Sequence, residues 1–439
     1  MIVPQVSILH SSWSSASKQR DILEGAFSDA IHAVDPANCL RNYLQPRSVT
    51  GRTVVLAIGK AAVSMSVAAY QILGNEVEGL ALTRYGHIGT ASLPPSLEVV
   101  EAGHPLPDLN GERAAARIFD LAKGLTENDR CIALISGGGS ALCALPGHGV
   151  TLADKRALAK LLLASGASVR EINCVRKHLS ACKGGRLALA AAPSRVETYC
   201  ISDVVGDDPA QIASGPTVPD TTSQSDAIAI LRKNKIAATD TVYAALNDPR
   251  NALPAKDHPA FVAGKVSVIA GSCNALDAAA RFVANQGYKP IVLGGDIEGE
   301  AREVGLVHAG RALELSKSSQ RYALISGGEC TVTLQDRNGH GGPNLEYLLA
   351  LALALGGAPG VSALAADTDG IDGNSEAAGA FIDFSTLARA RDIGLDLGQV
   401  LERNASYSAF AKLGDLLITG PTLTNVNDLR IILIDGKIT

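Results

Sequence analysis

A chain of 439 residues exceeds the size at which one hydrophobic core keeps growing, so two domains are expected. Thirty-nine basic residues against forty-four acidic ones leave a formal charge of −5, which argues against a nucleic-acid or anionic-membrane partner. Eight cysteines with no CxxC spacing exclude the usual zinc and redox motifs, and the longest apolar run, 347–355, is too short to span a bilayer.

The opening MIVPQVSILHSSWSSASKQR lacks a basic start followed by a sustained apolar core. No signal peptide is therefore expected, and a reduced, cytoplasmic setting is. In chain order, Gln19–Leu44 predicts a helix on the larger domain. Short apolar runs follow at Thr53–Ile58, Gly79–Thr83, Leu97–Glu101, Cys131–Ile135 and Glu197–Ile201. They resume at Val266–Ile269, Pro290–Leu293, Tyr322–Ile325, Val361–Ala365 and Arg430–Ile434. Most are followed by Gly, Ser or Asp, as buried parallel strands carrying a site at their carboxyl ends would be. Helical patterns lie between them, at Lys60–Leu73, Gly111–Lys123, Leu152–Leu163 and Asn344–Leu355.

This alternation predicts an α/β fold of two domains, with mainly parallel sheets flanked by helices. The polar, proline-containing segment 241–265 reads as the linker. It separates a larger Rossmann-like domain, 1–240, from a smaller one, 266–439. Each domain then carries one copy of ALISGG, at 133–138 and 323–328, which reads as a shared strand and glycine turn.

Several chemistries lack their motifs. Gly137-Gly138-Gly139 is no dinucleotide fingerprint, because position 142 is Leu, and Ser140 fails the GxSxG elbow for the same reason. Lys60 follows Gly59, but Val54 and Ala61 break a Walker loop, and HExxH is absent.

What remains favours anions. Gly137, Gly138, Gly139 and Ser140 can present backbone N–H groups and a hydroxyl to a phosphate or carboxylate, or can simply turn the chain. If 173–183 is one helix, Asn173, Arg176, Lys177, Ser180 and Lys183 share an arc of about 120° while His178 points away. That basic face could bind an anion through Arg176 or could be solvated. Lys60, at the end of VVLAIG, is placed to meet a transferring phosphoryl group, or is an exposed lysine at a helix start. Carboxylates gather after strands: Asp203, Asp207 and Asp208, Asp296 and Glu298, Glu329, then Asp367, Asp369 and Asp372. Such oxygens suit Mg²⁺, although each Asp could equally cap a helix or form a turn. Thr422 and Asn425, in LLITGPTLTNVNDL, offer a hydroxyl and an amide to phosphate or base. The pattern points to phosphoryl transfer onto a small anionic acceptor.

Nine segments in order resemble the type-2 glycerate kinase family, whose carboxyl-terminal part is the MOFRL domain. They are AIGKAA, AGHPLPD, LISGGGSALCALP, INCVRKHLSACKGGRLA, SDVVGDDPAQIASGPTVPD, ISGGECTVTL, GHGGPNLEYLLALAL, AADTDGIDG and GDLLITGPTLTNVNDL. The resemblance implies ATP- and Mg²⁺-dependent phosphorylation of D-glycerate at the 2-hydroxyl, in a cleft between two α/β domains. It implies Lys60 and Asp203 as catalytic residues, with Gly137–Gly139, Ser140 and Arg176 holding the substrate carboxylate. It puts Glu329, Asn344, Thr422 and Asn425 on the nucleotide side and Asp207, Asp367 and Asp369 at the metal. The chain departs from the family at Pro343, where many members carry arginine, so the phosphate contact expected of that arginine has no counterpart at this position. Two rivals stay open: a hydroxypyruvate reductase, and a non-catalytic metabolite-binding protein. The sequence leaves homo-oligomer formation open.

Overall fold

The computed structural model describes residues 16–74, 76–336 and 339–436. Six strands rich in Val, Ile and Leu form the first sheet: β1 (Thr53–Ile58), β2 (Val77–Arg84), β3 (Leu97–Ala102), β4 (Arg130–Ile135), β5 (Arg195–Ile201) and β6 (Lys265–Ala270). Every pairing is parallel and the order is β3-β2-β1-β4-β5-β6. Strand order therefore reverses between β1 and β4, and in open parallel sheets ligands bind beyond the carboxyl ends at such a point. Leu56, Ile58, Leu82, Ala133 and Ile135 bury one face against Ile118 and Phe119 of helix Leu109–Lys123.

Helix starts follow local chemistry. The Asp108 carboxylate accepts from Gly111 N–H, and Thr151 with Asp154 and Ser168 with Glu171 form reciprocal capping boxes. The second box corrects the expected helix over 173–183. The helix is Val169–His178, and Ser180 instead bridges to Pro146. Gly184 and Gly185, both at positive φ, then turn the chain into helix Arg186–Ala191.

The second sheet is built from β7 (Lys289–Gly294), β9 (Tyr322–Gly328), β11 (Val361–Asp367), β12 (Gly379–Ile382), β13 (Leu416–Leu417) and β14 (Asp428–Ile434). Two short strands, β8 (Gly299–Glu300) and β10 (Cys330–Thr331), pair separately. The order is β13-β12-β11-β14-β9-β7, and β7 with β9 is its parallel pair. The other neighbours run antiparallel. The α/β layering is as expected, but strand direction here differs. β9, β11 and β14 are buried almost throughout, so an unbroken apolar run suits either direction. The ALISGG copies differ too. Gly137 and Gly138 leave β4, whereas Gly327 and Gly328 stay within β9, opposite Leu429 and Asp428.

The chain divides at Gly271/Ser272 rather than within 241–265. One unit holds 35–271 with 423–425; the other holds 272–422 and the described residues of 1–34 and 426–439. β6 therefore completes the first sheet beside β5 instead of opening the second domain. Helix Ala16–Ala33 belongs with the second unit, not the larger one, because it packs on helix Ser272–Asn285. Gly25 permits that approach: a Cβ there would fall 2.4 Å from Phe282 Cζ. Asp35 ends it by capping the separate helix Pro36–Leu40. No helix among the described residues is long and apolar enough to cross a membrane.

Inside the second unit Arg430 is 1% exposed and pairs with Asp428, also buried. Removing one member of a buried pair leaves the other charge uncompensated. Arg430→Ala is expected to cost about 3–5 kcal/mol, read as a lower urea midpoint. An unchanged midpoint would contradict the pairing.

Candidate active site

β1 is followed by Gly59, whose φ of +132° and lack of a side chain let it sit against the end of β4; a Cβ would lie 2.2 Å from Ser136 Oγ. That contact locks the next residues. Lys60 N–H donates to Gly137 O at 2.8 Å, and Ala61 N–H donates to Ser136 Oγ at 3.0 Å. Lys60 is half-buried, on the β1 side of the reversal in strand order.

The three glycines after β4 each face a different neighbour. A Cβ on Gly137 would fall 1.9 Å from Asp203 Oδ2 and 2.7 Å from Asn425 Nδ2. One on Gly138, at φ +78°, would fall 3.1 Å from Lys60 Cγ and 3.2 Å from His104 Cδ2. One on Gly139 would meet Ala213 Cβ at 2.6 Å. The bare backbone is thus the floor of a site walled by Lys60, His104, Asp203 and Asn425. Asp203 stands just beyond β5, and Asn425 Nδ2 donates to its Oδ2 at 3.2 Å. Lys60, the Gly137–Gly139 turn and Asp203 therefore project from the carboxyl ends of three adjacent strands, β1, β4 and β5.

Ser140 begins a buried polar chain. Its Oγ shares a 2.6 Å hydrogen bond with Ser214 Oγ, which donates to Asn173 Oδ1 at 3.0 Å. Beside Ser140 lies a cavity of about 30 Å³, lined by Pro105, Lys155, Arg176 and Lys183 with an apolar wall that includes Leu158 and Leu179. Arg176 accordingly reaches the neighbourhood of Ser140. Lys183 of the expected face lines the same cavity and Asn173 meets Ser214, whereas Lys177 is buried in an ion pair with Asp220; His178, expected to point away from that face, is buried among polar neighbours. Asp207 lies in the loop after Asp203 at φ +52°, with its carboxylate 2.7 Å from a Cβ built on Gly271.

The remaining expected residues belong to the second unit. Glu329 is exposed directly after β9. Asp367 accepts from Asp369 N–H at 2.9 Å, and Asp369, 1% exposed, accepts from Ile371 N–H at 2.8 Å. The DTDGIDG loop thus caps itself, and Asp369 is a loop former rather than an open ligand. Thr422 Oγ1 donates to Thr368 O, so its hydroxyl is already engaged. Asn344 corrects the expectation of a nucleotide contact. It is fully buried, and its Nδ2 donates to Asp372 Oδ1 at 3.2 Å and Asp428 Oδ1 at 2.6 Å. Pro343 is the first residue of that helix, where it needs no donor. Burial pushes the Asp372 carboxyl up to about 7 against the N–H groups of Leu345 and Asn344. Among the described residues no three His, Cys, Asp or Glu side chains are arranged to hold a metal ion.

Two residues of this surround were not singled out from the sequence. His104 lay in the AGHPLPD segment, which was legible as a motif without a role. Lys155 gave no signal, because DKR in an amphipathic helix reads as a solvated face.

A family model described as a domain of unknown function, DUF4147, matches residues 22–247, and the MOFRL family model matches residues 322–428. A D-glycerate 2-kinase of Thermotoga maritima is 39% identical over 411 residues, covering 92% of this chain and 96% of that protein. A putative hydroxypyruvate reductase of Agrobacterium vitis is 45% identical over 429 residues, covering 96% of each. A crystal structure of glycerate kinase from Thermotoga maritima superimposes with a TM-score of 0.82 at 38% identity, covering 95% of this chain and all of that one.

Proposed function

The chain belongs to the type-2 glycerate kinase family, and from that membership we propose that it phosphorylates the 2-hydroxyl of D-glycerate with ATP, giving 2-phosphoglycerate. The observation that carries the reading is the meeting of Lys60 and Asp203 over one side-chain-free turn, Gly137–Gly138, at the end of a parallel sheet. A bare turn gives a phosphoryl group room to approach backbone N–H groups, and a lysine there stabilises charge on its oxygens.

In the proposed reaction the substrate carboxylate rests beside Ser140 and Arg176. Its 2-hydroxyl oxygen attacks the γ-phosphorus of ATP, the bond from γ-phosphorus to the bridging oxygen breaks, and ADP departs. Asp203 accepts the hydroxyl proton, held in position by Asn425 Nδ2. Lys60, fixed by its own N–H on Gly137 O, faces the transferring group. Glu329 and Asn425 are assigned to the nucleotide side. Mg²⁺ bound with ATP would neutralise phosphate charge, and it needs few protein carboxylates; Asp207 in the first unit or, as an alternative, Asp367 in the second would offer the hard oxygen. Eight cysteines without a disulfide support a reducing, cytoplasmic setting.

The name carried by the Agrobacterium relative favours a second reading, hydroxypyruvate reduction. The turn after β1 argues against it, since Gly59-Lys60-Ala61 lacks the glycines that bring a backbone against a dinucleotide pyrophosphate. D-glycerate-dependent ADP release with ATP and Mg²⁺ is the expected result. NADH oxidation with hydroxypyruvate and no ADP release would support the reductase instead, and neither activity would leave a binding protein.

A further inference from the structure

The cavity beside Ser140 has a charge imbalance that its own residues do not resolve. Three basic side chains line it, Lys155, Arg176 and Lys183, and no carboxylate does. The Arg176 side chain makes no hydrogen bond or ion pair among the described residues, and burial lowers its guanidinium's pKa. Lys155 Nζ donates to Leu145 O and Leu179 O, each at 3.2 Å, which leaves one of its three hydrogens without a protein acceptor. Lys183, 1% exposed, donates to Cys143 O at 2.7 Å and has Cys182 Sγ at 4.0 Å. Burial, then the neighbouring charge of Lys183, pushes Lys155 down to about 7.

One acidic group is at hand. Burial opposes ionisation of Cys182, but a hydrogen bond with Cys143 and the charges of Lys183 and Lys155 pull its thiol well below the usual range. Even an ionised Cys182 would leave Arg176 and Lys183 sharing one anion, and no carboxylate lines the cavity. Uncompensated buried charge is costly unless a ligand supplies its partner.

We propose that this cavity is the seat of the acceptor's carboxylate, and that Lys155 and Lys183 join Arg176 in binding it. The assignment rests on the proposed kinase function and deepens it by naming the residues that select an acid over a neutral polyol. Size and position agree. A volume of about 30 Å³ is on the scale of a carboxylate or one water molecule, far below a nucleotide. Ser140 follows the glycine turn directly, and Pro105 follows His104, so an acid anchored here extends its hydroxyl-bearing carbons toward Gly138 and Lys60. The apolar wall of Ala144, Leu158, Ala159 and Leu162 leaves no acceptor for extra hydroxyls, which suits a short hydroxy acid.

The test compares Lys155→Met and Lys155→Arg with the parent in D-glycerate-dependent ADP release, varying glycerate and ATP separately. Losing a charge-assisted bond should raise the KM for D-glycerate by about tenfold or more, with smaller changes in kcat and in the KM for ATP. Lys155→Arg, which keeps the charge, should recover most of that loss. Should the methionine variant not fold, Lys155→Gln keeps amide donors for the Leu145 and Leu179 carbonyls while removing the charge, and the same KM rise is expected. An unchanged glycerate KM in a neutral variant, or equal losses in Met and Arg variants, would overturn the assignment. A parent enzyme releasing no ADP with glycerate would instead refute the kinase reading, so the two failures are separable.

Discussion

Replacing Lys60 by alanine is expected to lower kcat for D-glycerate phosphorylation by about two to three orders of magnitude, with a smaller change in the KM for glycerate. The expectation follows from placement. Lys60 is held at the end of a central strand by the bond from its own N–H to Gly137 O, and its Cγ lies 3.1 Å from the Cβ position of Gly138. In the proposed reaction its ammonium would meet the group that crosses the turn, where charge develops in the transition state, rather than the cavity proposed for the carboxylate. Because the backbone bond survives the substitution, the turn should persist and the loss should fall on the chemical step. Parent-like kcat in a folded Lys60→Ala variant would remove the residue from the mechanism.

The second large effect is expected from one added methyl group. Gly137→Ala would put a Cβ 1.9 Å from Asp203 Oδ2, 2.3 Å from its Cγ and 2.7 Å from Asn425 Nδ2. Gly137 is absent from the positive-φ glycines, so alanine is compatible with the local backbone and the clash is what must relax. Asp203 or Asn425 has to move by about an ångström, a displacement that costs on the order of 10²-fold in rate when it misplaces a reacting group. The control is Gly310→Ala, in the helix Ala301–Leu315, whose Cβ would meet nothing within 4 Å. That variant should keep full kcat and gain about 0.5–1 kcal/mol of stability. Full activity in Gly137→Ala would mean that Asp203 does not act where it stands.

Much of the fold was legible because apolar runs of four to six residues identify buried strands whatever their neighbours. All ten expected strands are present, most extended by one or two residues. What such runs cannot report is partner and direction. β6 resembles any fresh strand after a polar linker, and only its pairing with β5 assigns it to the first sheet. β14 reads as buried and parallel, yet pairs antiparallel on both sides. Strand β12, GAFI, is only four residues long, with a glycine and an alanine and a single branched residue, Ile382, so it lacked the sustained run that marked the others.

The site was legible where backbone geometry writes itself in residue type. Consecutive glycines after an apolar run marked the turn, and Lys60 followed from the strand end. Contacts between distant segments were not legible: nothing in TLTNVND foretells that Asn425 bonds Asp203. Asn344 shows the converse, since a polar residue at a helix start gives no sign that its amide is buried between two carboxylates. Lys155 escaped because its neighbours Asp154 and Arg156 suggest solvent, while its ammonium turns inward to two carbonyls.

The central claim, transfer of the γ-phosphoryl group to the 2-hydroxyl of D-glycerate, is tested most directly by phosphorus NMR of the reaction with ATP and Mg²⁺. The account predicts loss of the γ-phosphate signal with growth of ADP and of 2-phosphoglycerate, whose phosphorus couples to the single proton on C2. A product coupled to two protons, as in 3-phosphoglycerate, would contradict the placement of the hydroxyl. An unchanged ATP spectrum in the presence of glycerate would contradict the kinase reading altogether.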